Sequence, residues 1–399
     1  MRARLDVAER RRRLLVRHRI ASTERVDDPP EVAQSVLALH ATDPTSVYLQ
    51  VRARSPTTTV HGVDEALYTD RTLVRMMGMR RTLFVAPTST APVIQHGAMD
   101  RVAGEQHRRL VRQLIDADLV AGDVDRWLVD VGDATVRALA ELGGEASTEQ
   151  LIAAEPRLRT SMVLSPGKPW ETRTTIASRL AVLLGCQGRI VRGRPGGGWA
   201  SRRYRWALPQ VWFGAAPPVL EPAVARADLV RRWLSVFGPA PESDLKWWTG
   251  WPLTRLRAAL ADVDTVEVEV DDVSMLVLAA DLGPTDAPPV SAALLPALDP
   301  TVMGWSERSW FLGEHAPRLF DRFGNAGPTV WWDGHVVGGW GQTAAGEVRV
   351  VLFENLGATG RAAVEAETER LQGWLGELRC TPTFRTPTEL ALTARTGRE

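Results

Sequence analysis

Apolar residues at helical spacing alternate with short strand-like runs along the chain, and this order of elements recurs at intervals of roughly 80 to 100 residues. The middle copy is the clearest, and it predicts three helices and a hairpin over residues 133–142, 147–154, 171–184 and 188–206. Ser147 followed by Gln150 has the capping-box spacing, in which each side chain bonds a backbone N–H at the start of a helix. Three helices followed by a hairpin is the layout of a winged helix-turn-helix.

Two further copies flank the middle one. The third predicts helices over 225–237, 241–248 and 252–260, followed by a hairpin with strands over 265–270 and 274–279. The first is less regular, with predicted helices over 7–20, 31–39 and 63–68 and strands over 73–79 and 82–85. Pro44 follows the second helix of this first copy and predicts the end of that helix, because proline cannot continue the backbone hydrogen bonds.

The composition changes from Leu294 onwards. This part predicts three strands and a helix, over 329–332, 335–340, 347–353 and 361–378. Asp333-Gly334 separates the first two strands, and this dipeptide favours a two-residue hairpin. The Pro-rich stretch 283–300 is typical of a linker. We therefore expect a small antiparallel sheet or barrel at the C-terminal end, separate from the helical repeats.

Composition limits the possible classes of function. The 399 residues are 44% hydrophobic, 24% charged and have zero formal net charge, so no global field attracts polyanions or a membrane, and any nucleic-acid site must be local. Cys186 and Cys380 lie far apart, which gives no support for a zinc knuckle or disulfide framework. The N-terminus lacks the apolar core of a signal peptide. We expect a monomeric, cytoplasmic and nucleoid-associated protein without membrane, metal or cofactor.

Arginine is unevenly distributed along this neutral chain. Residues 189–205, on the second hairpin, contain six arginines and no Asp or Glu around a glycine-rich tip, which favours contact with phosphates or a DNA groove. The third hairpin is acidic and is predicted to face away from DNA. We predict DNA-binding roles for Arg75, Arg80 and Arg81 on the first hairpin and for Arg192, Arg194, Trp199, Arg202, Arg203 and Arg205 on the second.

Five stretches of the chain, taken in order, resemble the winged-helix DNA glycosylases, the family of AlkZ-like and YcaQ-like proteins. They are LALHATDPTSVYL at 37–49, RMMGMRRTLFV at 75–85, FGPAPESDLKWWTG at 237–250, LLPALDPTVMGW at 294–305 and DGHVVGGW at 333–340. Together they extend over nearly the whole chain, and five motifs in one order are far more specific than any one of them.

The resemblance implies an α+β fold with three tandem winged-helix motifs around a basic channel and a small C-terminal antiparallel β-barrel. The predicted regions are 1–125 with the first winged helix and the catalytic motif, 126–220 with the second and its basic wing, 221–290 with the third, and 291–399 with the barrel and a helix. It also implies that double-stranded DNA is the partner and that the activity is hydrolytic excision of N7- or N3-alkylated purines.

The family's catalytic motif is a glutamine, an apolar residue and then glutamine or aspartate. In this chain those two polar positions correspond to His40 and Thr42, so the residue types differ from the family pattern. A histidine can orient water or take its proton, and Thr42 can add one hydrogen bond. Asp43 is predicted to orient the imidazole or to stabilise a cationic sugar. These three residues are the predicted catalytic set.

Three functions remain open at this point. The first is a DNA glycosylase, and it would be monofunctional, because a lyase step needs an amine and the only lysines, Lys168 and Lys246, lie outside the catalytic segment. The second is a non-catalytic winged-helix DNA-binding protein, either a regulator or a lesion-binding shield, in which His40 is only structural. The third, an interaction scaffold without binding charge, is disfavoured by the basic second hairpin.

Overall fold

The computed structural model describes residues 3–165 and 167–394. Its α-helices are α1 (Val7–Arg17), α2 (Pro29–Ser35), α3 (Pro44–Arg54), α4 (Val60–Asp64), α5 (Ala91–Asp116), α6 (Val124–Glu141), α7 (Thr148–Ala154), α8 (Ile176–Cys186), α9 (Pro209–Trp212), α10 (Pro222–Phe237), α11 (Glu242–Thr249), α12 (Leu253–Leu260), α13 (Pro300–Met303), α14 (Ser309–Leu312), α15 (Ala316–Leu319), α16 (Gly357–Leu375) and α17 (Pro387–Thr393). In this part of the chain no helix is long and apolar enough to cross a membrane.

The strands are short and form several sheets. They are β1 (Ala3–Leu5), β2 (Leu39–His40), β3 (Leu73–Met77), β4 (Leu83–Pro87), β5 (Glu145–Ala146), β6 (Ser161–Leu164), β7 (Thr172–Thr175), β8 (Val191–Pro195), β9 (Tyr204–Ala207), β10 (Thr265–Val270), β11 (Val273–Leu278), β12 (Ala292–Leu295), β13 (Thr329–Trp332), β14 (His335–Gln342) and β15 (Val348–Leu352). A 3₁₀ turn at Met79–Arg81 connects β3 to β4.

The first and second hairpins belong to one continuous sheet. Its six strands lie in the order β2-β4-β3-β8-β9-β5, and the two hairpins meet where Arg75 of β3 is paired with Arg192 of β8. The sequence predicts these hairpins as separate wings, whereas in the structure they are joined edge to edge. The Arg75 side chain at this seam is buried, and that of Arg192 is half-buried.

The helices and hairpins of the second and third copies largely confirm the predicted pattern. Both halves of the capping box form at α7, since Ser147 bonds the Gln150 N–H and Gln150 bonds the Ser147 N–H. The third copy has α10, α11 and α12 followed by the β10–β11 hairpin, and β1 joins that hairpin in parallel. The helix predicted over 171–184 is wrong in its first part, because the threonine-rich run Thr172–Thr175 is a strand paired with β6.

The long helix α5 was not predicted, and it connects the N-terminal part to the second and third copies. It packs on α10 and α8. Gly97 permits the close approach to α10, because a Cβ at this position would lie only 3.0 Å from the Ala225 carbonyl oxygen. Replacing this glycine would push the two helices apart.

The C-terminal sheet is open, which corrects the predicted barrel. Its strands lie in the order β12-β13-β14-β15, and the described residues contain no pairing that joins β15 back to β12. Helix α16 packs against both edge strands, and α17 packs against β14 and β15. The Asp333-Gly334 hairpin is confirmed, with both residues at positive φ (45° and 78°). The predicted linker 283–300 is also corrected, since it contains β12.

Candidate active site and nucleic-acid interface

The predicted catalytic segment begins in strand β2, and Gln50 of α3 holds its backbone. The Gln50 Oε1 accepts a hydrogen bond from the His40 N–H at 3.0 Å, and the Gln50 Nε2 donates to the His40 carbonyl at 2.9 Å. Gln50 is fully buried, so this two-way contact is shielded from water. Position 40 is thus fixed by a side chain ten residues further along the chain.

Ala41 is held on both sides of its peptide. Its N–H donates to the Leu83 carbonyl of β4 at 2.8 Å, and its carbonyl accepts from Arg75 Nη1 at 3.0 Å. With the Gln50 contacts, these bonds satisfy the backbone of the segment. The side chains of His40 and Thr42 are therefore not needed to hold the segment in place.

The side chains of His40 and Thr42 each carry a buried polar atom without a hydrogen-bond partner. Within the described residues, neither His40 Nδ1 nor Thr42 Oγ1 makes a hydrogen bond. The His40 ring is only 6% exposed and meets Phe84 edge-on at 5.4 Å, while Thr42 is half-buried. Buried polar atoms in proteins almost always have a partner, so two such atoms within three residues indicate a place for a small polar ligand.

The imidazole of His40 is neutral at physiological pH. Burial and, to a lesser extent, the Arg80 guanidinium lower the pKa of His40 to about 4, against an opposing effect of Asp43. A neutral ring has one nitrogen that accepts and one that donates. His40 can therefore accept a hydrogen bond from water without first losing a proton.

Asp43 has a structural task in this conformation. It is 2% exposed and caps α3, with its Oδ1 accepting from the Thr45 N–H at 3.0 Å and the Thr45 hydroxyl at 2.8 Å. Its Oδ2 accepts from the Thr383 N–H at 2.7 Å. The expectation that Pro44 ends a helix is wrong, because Asp43 and Pro44 are the N-cap and first residue of α3.

Arg80 and Arg81 occupy the turn between β3 and β4. Both have positive φ, 55° and 61°, a backbone conformation that non-glycine residues rarely adopt and that is found disproportionately at functional sites. Arg80 lies over the Trp247 ring of α11 at 4.1 Å, and burial lowers its pKa. Arg81 is exposed and donates to Gln106 at 3.3 Å. Arg80 thus points toward α11 and His40, while Arg81 remains available to a ligand.

The seam between the two hairpins contains the two predicted DNA-binding arginines Arg75 and Arg192. Arg75 is 1% exposed, and each guanidinium lies 5.0 Å from the Tyr204 ring centre. Burial lowers the pKa of Arg192 to about 10, and it also lies over Trp206. In this conformation Arg75 has no surface for a phosphate. Its contact to Ala41 makes it a positioning residue.

Acidic side chains from outside the second hairpin neutralise part of its charge. Arg205 Nε donates to Glu145 Oε1 at 2.9 Å, and Arg194 lies 3.9 Å from Asp64. These acids are far away in sequence, so the count of charges within 189–205 overstates the free charge. Both arginines are nonetheless partly exposed, at 39% and 50% of their side-chain surface.

Among the described residues, Arg202 and Arg203 are the exposed hairpin arginines without a direct ion pair, although the charge of Glu149 in the adjoining groove acts on Arg203. Both are exposed, and neither forms an ion pair with any of residues 3–165 or 167–394. With Arg192 and Arg205 they line an open groove of about 700 Å³ between the hairpin and the start of α7. Arg202 also donates to the Thr383 hydroxyl, so it lies beside the segment that contacts Asp43. The groove and the predicted catalytic segment are thus connected through residue 383.

Trp199 at the hairpin tip packs onto the body of the protein. Its ring meets Tyr48 of α3 at 5.6 Å and Trp374 of α16 at 6.1 Å, both edge-on. It is half-buried in this position. The ring therefore anchors the tip over α3, and stacking on a base would require it to leave this contact.

The roles of Gln50, Tyr48 and the acids that neutralise the hairpin were not predicted from the sequence. Gln50 was overlooked because α3 itself was not predicted, and the Asp43-Pro44 pair is the signal that would have found this helix. Tyr48 donates to Asp64 at 2.6 Å and supports Trp199. No local signal identifies Glu145 as the partner of Arg205, since sixty residues separate them.

The overall fold is shared with a protein of known structure. It is similar to DNA glycosylase AlkZ from Streptomyces sahachiroi, with a TM-score of 0.73 and 20% sequence identity over 94% of this chain and 98% of that one. The family model for AlkZ-like DNA glycosylases matches residues 33–374. The chain therefore belongs to the AlkZ-like DNA glycosylase family, with DNA as its partner. No curated protein sequence matches it significantly.

Proposed function

We propose that the protein hydrolyses the N-glycosidic bond of purines alkylated at N7 or N3 in double-stranded DNA, and that it acts as a monomer on the nucleoid. The observation that carries the proposal is the pair of unpartnered buried atoms, His40 Nδ1 and Thr42 Oγ1, on a firmly held backbone. The attacking water binds between these two side chains. The two positions of the family motif would thus both bind the attacking water, although their residue types differ from the family pattern.

Little chemical assistance is needed once the water is held. An N7-alkylpurine is already cationic and leaves readily as a neutral base, so the barrier is lowered mainly by placing water and stabilising charge. Neutral His40 accepts a hydrogen bond from the water and takes its proton as the C–O bond forms. Its low basicity suits orientation of the water better than strong proton abstraction.

Asp43 contributes electrostatically in this proposal. Its carboxylate is oriented by Thr45 and Thr383 and lies close enough to His40 to act on the pKa of the imidazole. A fixed negative charge beside the sugar stabilises the positive charge that develops as the base leaves. The same carboxylate favours the imidazolium that His40 becomes when it takes the water proton.

The duplex contacts the groove of the second hairpin. Arg202, Arg203 and Arg81 supply exposed guanidinium groups for phosphates, with Arg194 and Arg205 as weaker contributors because acids already pair with them. Arg80 and Arg192 contribute less to phosphate binding, because each guanidinium is stacked on a tryptophan or tyrosine ring. In this proposal three winged-helix motifs surround a basic channel that binds the duplex.

Replacing Arg202 and Arg203 together by alanine is expected to weaken duplex binding and reduce its salt dependence. Each lost phosphate contact lowers the slope of log K against log salt by about 0.9, so the double variant loses roughly 2 units of slope. Fluorescence anisotropy over a salt series measures this slope. Arg231→Ala on α10, also an exposed arginine, is the control and should leave the slope unchanged. An unaltered slope in the double variant removes this hairpin from the interface.

Incubation with duplex DNA containing N7-methylguanine tests the reaction itself. Free base should be released above the spontaneous rate, and the abasic strand should stay intact until alkali is added. Borohydride should trap no covalent adduct, because Lys168 and Lys246 lie outside the catalytic segment. Release at the spontaneous rate across N7 and N3 adducts would contradict the proposal. A trapped adduct would contradict only its monofunctional part.

A further inference from the structure

Three arginines and one glutamate meet on the side of α3 that faces α16. Arg52 comes from the last turn of α3, Arg370 and Glu367 from α16, and Arg25 from the segment before α2. Glu367 lies 2.7 Å from Arg25, 3.7 Å from Arg52 and 2.9 Å from Arg370. Three positive groups thus share one carboxylate, and the cluster has an excess of two positive charges.

Arg52 is the exceptional member of this cluster. Its side chain is 2% exposed, yet Nε, Nη1 and Nη2 all lack a hydrogen-bond acceptor among the described residues. The Nε of Arg25 also lacks one, although that side chain is only 6% exposed. A buried guanidinium that makes no hydrogen bond is energetically costly, because its hydration is lost and the ion pair with Glu367, at 3.7 Å, replaces only part of it.

Arg54, two residues further along α3, shows how this fold satisfies a buried arginine. It bonds Asp299 through two nitrogens, at 2.8 and 2.6 Å, together with the Thr301 hydroxyl at 2.8 Å. The carbonyls of His18 and Gln50 accept from it as well, at 2.9 and 3.1 Å. Both arginines are buried on the same helix, so the contrast points to a missing acceptor at Arg52.

That acceptor must carry negative charge. Burial, and then the neighbouring Arg370, lower the pKa of Arg52 to about 9, which still leaves it protonated at neutral pH. Water would supply acceptor atoms without neutralising the excess charge. Guanidinium groups pair best with planar or tetrahedral oxyanions, whose oxygens match the spacing of their N–H groups.

We infer that Arg52 and Arg25, beside Arg370 and Glu367, form a binding site for a phosphate-type oxyanion. Arg370 and Glu367 are 27% and 13% exposed and mark the side open to solvent. A bound anion would join the C-terminal end of α3 to α16. The other end of α3 begins at its N-cap, Asp43. The inference does not depend on the proposed glycosylase reaction.

Calorimetric titration with inorganic phosphate, at constant ionic strength balanced with chloride, tests the site. The wild-type protein should bind phosphate saturably, with a matching rise in Tm. Arg52→Met should lose both effects, and Arg52→Lys, which keeps the charge but not the fork of donors, should bind about tenfold more weakly. The matched control Arg231→Met, at an exposed arginine, should behave like the wild type.

Oligonucleotides with and without a 5′-phosphate distinguish the sources of the anion. Displacement of bound phosphate only by the phosphorylated strand indicates a DNA end as an alternative ligand, and no displacement indicates a free ion. Absence of saturable phosphate binding by the wild type overturns the inference, as does equal binding by Arg52→Met. If Arg52→Met does not fold, the phosphate affinity of Arg52→Lys tests the inference. If neither variant folds, the titration of the wild-type protein tests it.

Discussion

Replacing His40 by alanine is expected to lower the rate of base release by about 10² to 10⁴-fold, the range observed when a positioned acid–base group is removed. The methyl group cannot accept a hydrogen bond from the attacking water, and Thr42 alone cannot hold it. Duplex affinity should change little, because His40 is 6% exposed and offers almost no surface to DNA. Single-turnover release of N7-methylguanine and anisotropy measure the two quantities.

His61→Ala is the matched control for this variant. His61 is 81% exposed on α4, so its loss should affect neither release nor binding. Thr42→Val keeps the shape of the side chain and removes its hydroxyl, and it should reduce release less than His40→Ala does. Equal background rates for wild type and His40→Ala would leave a DNA-binding protein without catalysis at this position.

The pH dependence of release gives a second test of His40. Since burial lowers the pKa of His40 to about 4, the active neutral form persists well below the ordinary histidine range. Release should stay nearly constant between about pH 8 and 5, whereas an unperturbed histidine would cause a decline near 6.5. Stability falls over the interval from about 6.5 to 4, because the unfolded chain binds a proton there that the folded protein excludes. Circular dichroism at each pH separates these effects.

The hairpins and helices of the second and third copies were predictable because their signals are local. A capping box at Ser147 or a turn at Asp333-Gly334 depends on residues only a few positions apart. The start of α8 was misjudged: Ile176 and Leu180 belong to its helical stripe, while the threonines before them, which were included in the predicted helix, form strand β7. The open C-terminal sheet depends on how α16 packs across its edges, which no local pattern specifies.

The roles of the arginines depended on contacts distant in sequence. Arg75 and Arg192 were predicted to bind DNA, yet the edge pairing of β3 with β8 places them at a seam where Arg75 is buried and Arg192 is half-buried. Arg205 is paired with Glu145, which lies on another strand. A neutral chain with so many arginines uses many of them as structural donors, so only the exposed and unpaired ones indicate a binding surface. Residues 202 and 203 meet that description.

Asp299→Ala is expected to destabilise the protein by about 3 to 5 kcal/mol, because it breaks a buried ion pair with Arg54. Asp299 and Arg54 are both 0% exposed and are joined by two hydrogen bonds. Removing the carboxylate leaves a guanidinium buried without its counter-ion and also removes the N-cap of α13. The denaturation midpoint in urea measures the loss. Asp100→Ala, at the partly exposed pair with Arg255, should cost less than about 1 kcal/mol.

A double variant, Arg54→Met with Asp299→Leu, distinguishes two costs: that of leaving the Arg54 guanidinium buried without a counter-ion, and that of losing the hydrogen bonds Arg54 makes. If the cost of Asp299→Ala is mainly an uncompensated guanidinium, removing both charges should restore part of the lost stability, since apolar pairs often replace buried ion pairs at little cost. If the bonds that Arg54 makes to His18, Gln50 and Thr301 contribute more than the stranded charge costs, the double variant, which also loses these bonds, will be less stable than Asp299→Ala. Because Gln50 also holds His40, the second outcome should lower base release as well, which links the stability of α3 to the proposed reaction.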